Sequence, residues 1–314
     1  MRRNIPISLA ASVIVLGLAC GRQSPSPVES ARTIDLSALK ATCRFSGKIV
    51  FQSDMDGKNK IYVLTQDSLK KLTDTAWSNE FPKWSPDGNR IAFKANPGGT
   101  YQIFVMNEDG SGVTQVSHSA FEASEEAWFP DGKKIAYAKQ GGPGKSAALY
   151  SLDLETGIEA RLLPDFKNSH GLPDFSPTAP LMAFTGKRLM GWGVYIHDLS
   201  ANTTRILTEG GGACRPHFSP GGNRIAFVSS AADGKGDIWL MNPDDSGQER
   251  LTDLPETFDY YPSWSADGRF IVFASGTEHY PNQGQWSLSI VDVATKKISS
   301  LFSSGARDVY PDWR

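Results

Sequence analysis

The chain has 314 residues, 39% of them hydrophobic, with 30 glycines, 19 prolines and a formal net charge of −2 at pH 7. Near-neutrality removes the global electrostatic case for nucleic-acid binding, and no run of like charge reads as a binding tail. The Gly and Pro content suits many short strands joined by tight turns, and one repeat array accounts for nearly the whole length.

Met1-Arg2-Arg3-Asn4 is a short basic stretch, and residues 5–19 are apolar but too short to span a bilayer comfortably. The stretch ends in Leu16-Gly17-Leu18-Ala19-Cys20. A small residue before Cys resembles a bacterial lipoprotein signal, which implies removal of residues 1–19 and lipidation of Cys20. The other outcome is ordinary cleavage after Ala19 with Cys20 left free. Gly21 does not resemble an inner-membrane retention signal, so the resemblance implies the cell envelope, at the outer membrane or its periplasmic face in a Gram-negative host. Residues 20–43, Ser/Pro-rich and then mildly amphipathic, read as a flexible tether with room for a short helix over 36–41. Cys43 and Cys214 are expected at opposite ends of the following domain, without a bridge.

From residue 44 to 314 one phrase keeps returning. It reads FPKWSPDGNRIAF at 81–93, EAWFPDGKKIAY at 126–137, LPDFSPTAPLMAF at 172–184, RPHFSPGGNRIAF at 215–227 and YPSWSADGRFIVF at 261–273. Its anchoring aromatics (Trp84, Trp128, Phe175, Phe218, Trp264) recur at the roughly 45-residue period of a propeller blade. In the first full copy, strands are predicted over 82–85, 90–94, 101–106 and 113–116, with Pro86-Asp87-Gly88 as the first turn. Equivalent third strands fall at 148–153, 192–198, 237–242 and 288–292, and fourth strands at 160–163, 204–208, 249–252 and 297–301. Residues 48–52, 60–64 and 70–73 make a blade that lacks its innermost strand. Residues 309–314 (VYPDWR) are that missing strand, so the C-terminus closes a ring of six blades. The expectation is an all-β, six-bladed propeller.

The arrangement resembles the TolB-type propeller, a PD-repeat relative of the WD-repeat family. The resemblance rests on W-S-P-D-G at 84–88, F-S-P-G-G at 218–222, W-S-A-D-G at 264–268, the I-A-F that follows, and the Leu-Thr ends of outer strands (Leu72-Thr73, Leu207-Thr208, Leu251-Thr252). It covers residues 44–314. The family's namesake carries a further N-terminal α/β domain, for which the tether leaves no place, so the resemblance implies a propeller of TolB type rather than that protein.

The usual catalytic signals are missing from the sequence: no Gly-x-Ser-x-Gly elbow, His-Glu-x-x-His, Walker loop or Cys-x-x-Cys, and five scattered histidines without metal-ligand spacing. Residues just before the innermost strands should ring the channel mouth. The candidates are Glu80, Glu125, Glu126, His170, Arg215, Asp259, Tyr260 and Asp308. Three readings stay open for this acidic ring: solvated loop carboxylates, a receptor for a basic partner segment, or a site for a cation such as Ca²⁺. Asp54-Met55-Asp56-Gly57 reads as a turn rather than a calcium loop, and Trp192, Trp239 and Trp286 read as blade packing rather than a sugar platform. Two long second-to-third-strand loops, 140–147 and 276–286, stand out, the latter with His279, Tyr280 and Trp286 as a recognition edge. The expected function is a non-catalytic, monomeric, envelope-associated propeller that binds a protein or peptide, takes no cofactor and no nucleic acid, and reaches the membrane through its lipid anchor. The alternatives are a carbohydrate-active enzyme resembling oligogalacturonate lyases, with His170, Arg215 and the acidic ring in the active roles, and a Ca²⁺-sensing propeller.

Overall fold

A computed structural model describes residues 33–35, 44–142, 145–208, 212–279 and 282–314. These residues form six antiparallel sheets arranged as a closed propeller. The strands of blade two show the plan: Asn79–Trp84 innermost, then Arg90–Ala95, Gln102–Asn107 and the short outer Thr114–Gln115, paired in that order. The blades that follow repeat it. Blade one is completed by Val309–Trp313, which lies against Ile49–Ser53 with Ile49 opposite Trp313. The C-terminal strand therefore closes the ring as expected.

The recurrent phrase has a local cause at each position. Ser85 Oγ accepts the Arg90 N–H at 3.0 Å, and Asp87 Oδ1 accepts the Asn89 N–H at 3.1 Å. Ser265 and Asp267 repeat both bonds in blade six, at 2.9 and 3.1 Å. Gly88 takes φ of +73°, which a Cβ would disfavour. The Leu-Thr ends act as clamps: Thr73, Thr208 and Thr252 each accept, at 3.0 Å, an N–H of their own blade's third strand. Ser117 does the same at 2.8 Å. Each clamp occupies an amide that the short fourth strand leaves unpaired.

The apolar core lies between blades. Trp84 packs with Val50, Ile61 and Val63 of the preceding blade, and all five anchoring aromatics are buried. The indole N–H of Trp128 reaches back to the Lys83 carbonyl at 3.1 Å, and that of Trp264 to the His217 carbonyl at 3.1 Å. Burying one such ring is worth roughly 1.5–3 kcal/mol, so each repeat is stabilised chiefly through its neighbour.

One correction falls on the tether. Thr33–Asp35 pairs antiparallel with Ser68–Lys71 and adds a fifth strand to the outer edge of blade one, an edge whose backbone groups would otherwise lack strand partners. The signal segment, Cys20, the helix expected over 36–41 and Cys43 lie outside the described residues. Cys214 is a free thiol.

Candidate functional site

Each innermost strand starts at one rim of the channel and ends in the Ser-Pro-Asp-Gly turn at the other. Antiparallel order then places every second-to-third-strand loop, and every connection between blades, on the starting side. This is the mouth face. Both long loops singled out from the sequence belong to it.

A β-bulge interrupts every innermost strand at the same point, two residues opposing one between Glu80 and Lys83 in blade two and at equivalent places elsewhere. The bulged residue has positive φ in all six blades: Phe81 57°, Glu125 61°, Leu172 51°, Arg215 57°, Tyr261 60° and Tyr310 54°. For a non-glycine residue this costs about 1–2 kcal/mol, repeated around the ring. Proline follows in five blades, where the ladder has already lost its N–H partner. Blade three has Glu126 instead.

The six bulged residues form one level of the axial channel. Tyr310 packs against Phe81, with ring centroids 3.6 Å apart, and against Tyr261 at 3.9 Å. The Tyr261 hydroxyl donates to that of Tyr310 at 2.9 Å. The Arg215 guanidinium lies 4.6 Å from the centre of the Tyr261 ring. Glu125 Oε2 accepts the Leu172 N–H at 3.0 Å; a Cβ at Gly171 would come within 2.0 Å of that oxygen.

The second level comes from the position between Pro and the anchoring aromatic. Asp312 accepts the Trp84 N–H at 2.8 Å and pairs with Lys83 Nζ at 3.0 Å; His217 Nε2 stands 3.5 Å away. Asp174 accepts the Phe218 N–H at 2.7 Å, and Ser263 Oγ accepts the Trp313 N–H at 3.0 Å. A side chain of one blade thus fastens the backbone of the next. Burial alone would raise the Asp312 pKa, but Lys83 and His217 outweigh it and hold it at about 2. Burial wins at Asp174 and raises its pKa against the pull of His217. Lys83 is raised: desolvation is overcome by Asp312 and Asp174. Glu126 is 3% exposed and, among the described residues, finds no hydrogen-bond partner for its carboxyl oxygens in another residue. Burial, partly offset by its own N–H, Lys94 and Lys83, pushes it up to about 8, so it is protonated at neutral pH.

Between these levels lies a small axial cavity of about 60 Å³. Two further cavities open on the mouth face. One, about 260 Å³, is bordered by Glu125, His170, Trp192, Cys214 and Arg215. The other, about 340 Å³, is bordered by Gln52, Glu80, Arg215, Tyr261, Arg307 and Tyr310. Beside the first stands the blade-four hairpin tip, where Leu189 and Met190 are 101% and 86% exposed.

The sequence candidates separate under this geometry. Glu125, Glu126 and Arg215 line the axial cavity, and Glu80 borders the larger mouth cavity. Glu80 is held by Lys94 at 3.3 Å and by the Tyr101 hydroxyl at 2.6 Å. Asp259 and Asp308 are fully buried and border none of these cavities. Asp259 accepts from Ser275 Oγ at 2.7 Å, and Asp308 from Ser53 Oγ at 2.6 Å and the Ser304 N–H at 2.7 Å, so both pin loops rather than face the mouth. Tyr260 is buried and stacks on Trp286 at 5.7 Å. His170 touches the rim of a side cavity, but it is 1% exposed, donates Nδ1–H to the Asn168 carbonyl at 2.7 Å and packs against Phe166. Its burial depresses the imidazole pKa and favours the neutral ring.

The three tryptophans divide as well. Trp286 is fully buried and Trp239 packs against the blade core, as read from the sequence, but Trp192 is 38% exposed on the mouth rim. His279 packs edge-on against Phe258 at 5.1 Å, and Tyr280 lies outside the described residues. The Asp54–Gly57 segment is a turn, closed by the Gly57 N–H on the Asp54 carbonyl at 2.8 Å. A cation would need converging oxygens. Among the described residues no three His, Cys, Asp or Glu side chains converge as metal ligands, and Asp174, Asp312 and Glu125 already accept backbone N–H groups.

Sequence reasoning passed over Phe81, Leu172, Tyr261 and Tyr310, and the second-level Lys83, Asp174, His217 and Asp312. The signal was present. The residue before the recurrent Pro and the residue after it change from copy to copy while the anchoring aromatic beside them stays aromatic.

These features define a closed propeller of PD-repeat type with two cavities that meet at Arg215 on one loop-bearing face. The chain belongs to the TolB beta propeller domain family, which it matches over residues 41–154 and 127–314. It is 27% identical to an uncharacterized protein of Agrobacterium fabrum, covering 71% of this chain and 75% of that protein. It is 27% identical to Dipeptidyl-peptidase 5 of Porphyromonas gingivalis (84% of this chain, 45% of that one) and 27% identical to the Tol-Pal system protein TolB of Francisella tularensis (57% and 40%). It therefore spans less than half of either of the latter two. Among solved structures, TolB from Acinetobacter baumannii superposes with a TM-score of 0.74 at 19% identity, covering 88% of this chain and 69% of that one. An oligogalacturonate lyase in complex with manganese gives 0.52 at 15%, covering 82% and 74%, a likeness of fold alone.

Proposed function

We propose that this chain is a non-catalytic binding propeller of the cell envelope that receives a segment of a partner protein on its mouth face. The observation that carries the reading is the convergence of two open cavities on Arg215, above an axial channel filled by packed aromatic rings. Next to them stands an apolar hairpin tip, Leu189-Met190, that the fold itself leaves uncovered. The channel acids argue against a catalytic reading: Asp312 and Asp174 hold neighbouring blades together, and Glu126 is a neutral acid at physiological pH.

Attachment to the membrane through lipidated Cys20 belongs to the same proposal. It would keep the domain at the envelope surface and raise the effective concentration of a membrane-bound partner. The test is photo-crosslinking from residues 189 and 192 in cells, with partners identified by mass spectrometry against an unrelated lipoprotein. A protein captured at both positions and competed by unlabelled domain supports the reading; a profile indistinguishable from the control overturns it.

A further inference from the structure

The sequence places acids around the mouth and keeps a basic partner segment among three open readings, but the geometry favours the opposite sign. Arg215 borders the axial cavity and both mouth cavities. The other cations bordering these cavities are paired, Lys83 with Asp312 at 3.0 Å and Arg307 with Asp54 at 2.6 Å. Among the described residues Arg215 has no carboxylate within ion-pair distance. Its Nη1 donates to Cys214 Sγ at 3.0 Å and its Nη2 to the Tyr261 hydroxyl at 3.3 Å, while Nε is buried without a partner. Its backbone N–H donates to Thr185 Oγ1 at 3.0 Å, which helps hold the bulge that aims the side chain.

A half-buried guanidinium without an ion-pair partner is unfavourable, and a bound anion relieves that cost. Its planar fork matches a carboxylate through parallel N–H donors. The ring faces of Tyr260 at 5.3 Å and Tyr261 at 4.6 Å hold the guanidinium from its flanks and leave its edge as the recognition element. Glu125, the other charged residue of this level, accepts the Leu172 N–H at 3.0 Å and feels the Arg215 charge, but lies beyond ion-pair distance of it. Proline rings line the channel beneath, and exposed Leu189, Met190 and Trp192 stand on the same face, surfaces that suit the apolar side chains of a peptide more than a hydroxyl-rich sugar. We propose that Arg215 is the anchor of the mouth and binds a carboxylate of the partner segment, either an acidic side chain or a C-terminus. This inference rests on the binding reading above and adds the charge and chemistry of what is bound.

The test uses the full chain in detergent micelles; calorimetry measures affinity in wild type and variants, and in wild type the Nε–H resonance of Arg215, assigned by its loss in R215Q, locates the site. The probes are acetyl-triglutamate amide, acetyl-triglutamine amide, free triglutamine with its own C-terminal carboxylate, inorganic phosphate and trigalacturonate. The expected result is saturable binding of triglutamate that shifts the Arg215 resonance in wild type, with an affinity that weakens about tenfold for the amide analogue and in R215Q, as for loss of a charge-assisted pair, and weakens further with salt. Free triglutamine binding as well as triglutamate would identify a C-terminal carboxylate as the preferred source. R215K should fall between wild type and R215Q, because it keeps the charge and loses the fork; it also serves if R215Q does not fold. Equal binding of triglutamate and its amide analogue, or binding of trigalacturonate or phosphate without either peptide carboxylate, overturns the proposal. If crosslinking captures a partner that R215Q and R215K retain at wild-type level, the carboxylate inference falls and the binding reading stands. If triglutamate binds at Arg215 but no partner is captured, the reverse holds.

Discussion

Asp312 ties three blades together, and replacing it with Asn tests whether the ring depends on that charge. The carboxylate accepts the Trp84 N–H at 2.8 Å in blade two, pairs with Lys83 Nζ at 3.0 Å and receives Ser263 Oγ at 3.3 Å from blade six. Its pKa falls from 3.8 to about 2 on folding, which corresponds to roughly 2 kcal/mol of stability. Because the folded value is the lower one, that contribution is complete above about pH 4 and is lost as the pH falls through about 2. Removing one partner of a buried ion pair costs about 3–5 kcal/mol. Asn at 312 can still accept the Trp84 N–H, and Asp174 still acts on Lys83, so the expected loss for D312N is about 2–4 kcal/mol near pH 7. Urea denaturation of the full chain across pH measures it. The gap between wild type and D312N should close as the pH approaches 2, where wild type loses the same charge. A variant within about 0.5 kcal/mol of wild type at pH 7, or a gap independent of pH, would refute the reasoning.

Deleting residues 309–314 removes buried Val309 and Trp313 and leaves Ile49–Ser53 without its inner neighbour; a loss above about 4 kcal/mol or outright failure to fold is expected, and an unchanged melting temperature would disprove closure. E126Q should stabilise at alkaline pH. The folded pKa of Glu126 lies near 8, above its usual 4.5, so wild-type stability declines as the pH rises between those values. A residue that cannot ionise avoids the decline, with a gain on the order of 3 kcal/mol at pH 8; a stability difference that does not change with pH would contradict it. The L189E/M190E double variant should leave the denaturation midpoint within about 0.5 kcal/mol of wild type, since both side chains are exposed, while lowering partner capture. Unaltered capture would remove the hairpin tip from the binding face.

Much of the fold was legible because its causes are local and repeated. Ser85, Asp87 and Gly88 make their turn within a few residues, and the aromatics recur at the spacing that places each ring against the next blade. The candidate site was legible only in part. Glu125, Glu126 and Arg215 were placed near the channel, but Asp259 and Asp308 look the same in sequence and are buried beneath loops. Whether a strand-initial carboxylate faces solvent or a serine hydroxyl depends on residues far away in the chain: Ser53 lies 255 positions from Asp308.

The amino-acid pattern by itself determined the number of blades, their strand order and the closing role of the C-terminus, because alternation, turn chemistry and period are properties of short stretches. The tertiary structure alone decided which side chains meet on the axis. A bulge with positive φ in every innermost strand turns one residue per blade toward a shared centre, and the neighbours met there come from the whole length of the chain. Charge at the mouth followed from the same convergence. Acids that appear free in the sequence acquire backbone donors or protons when buried, whereas Arg215 reaches the opening with aromatic faces around it and, among the described residues, no carboxylate within ion-pair distance.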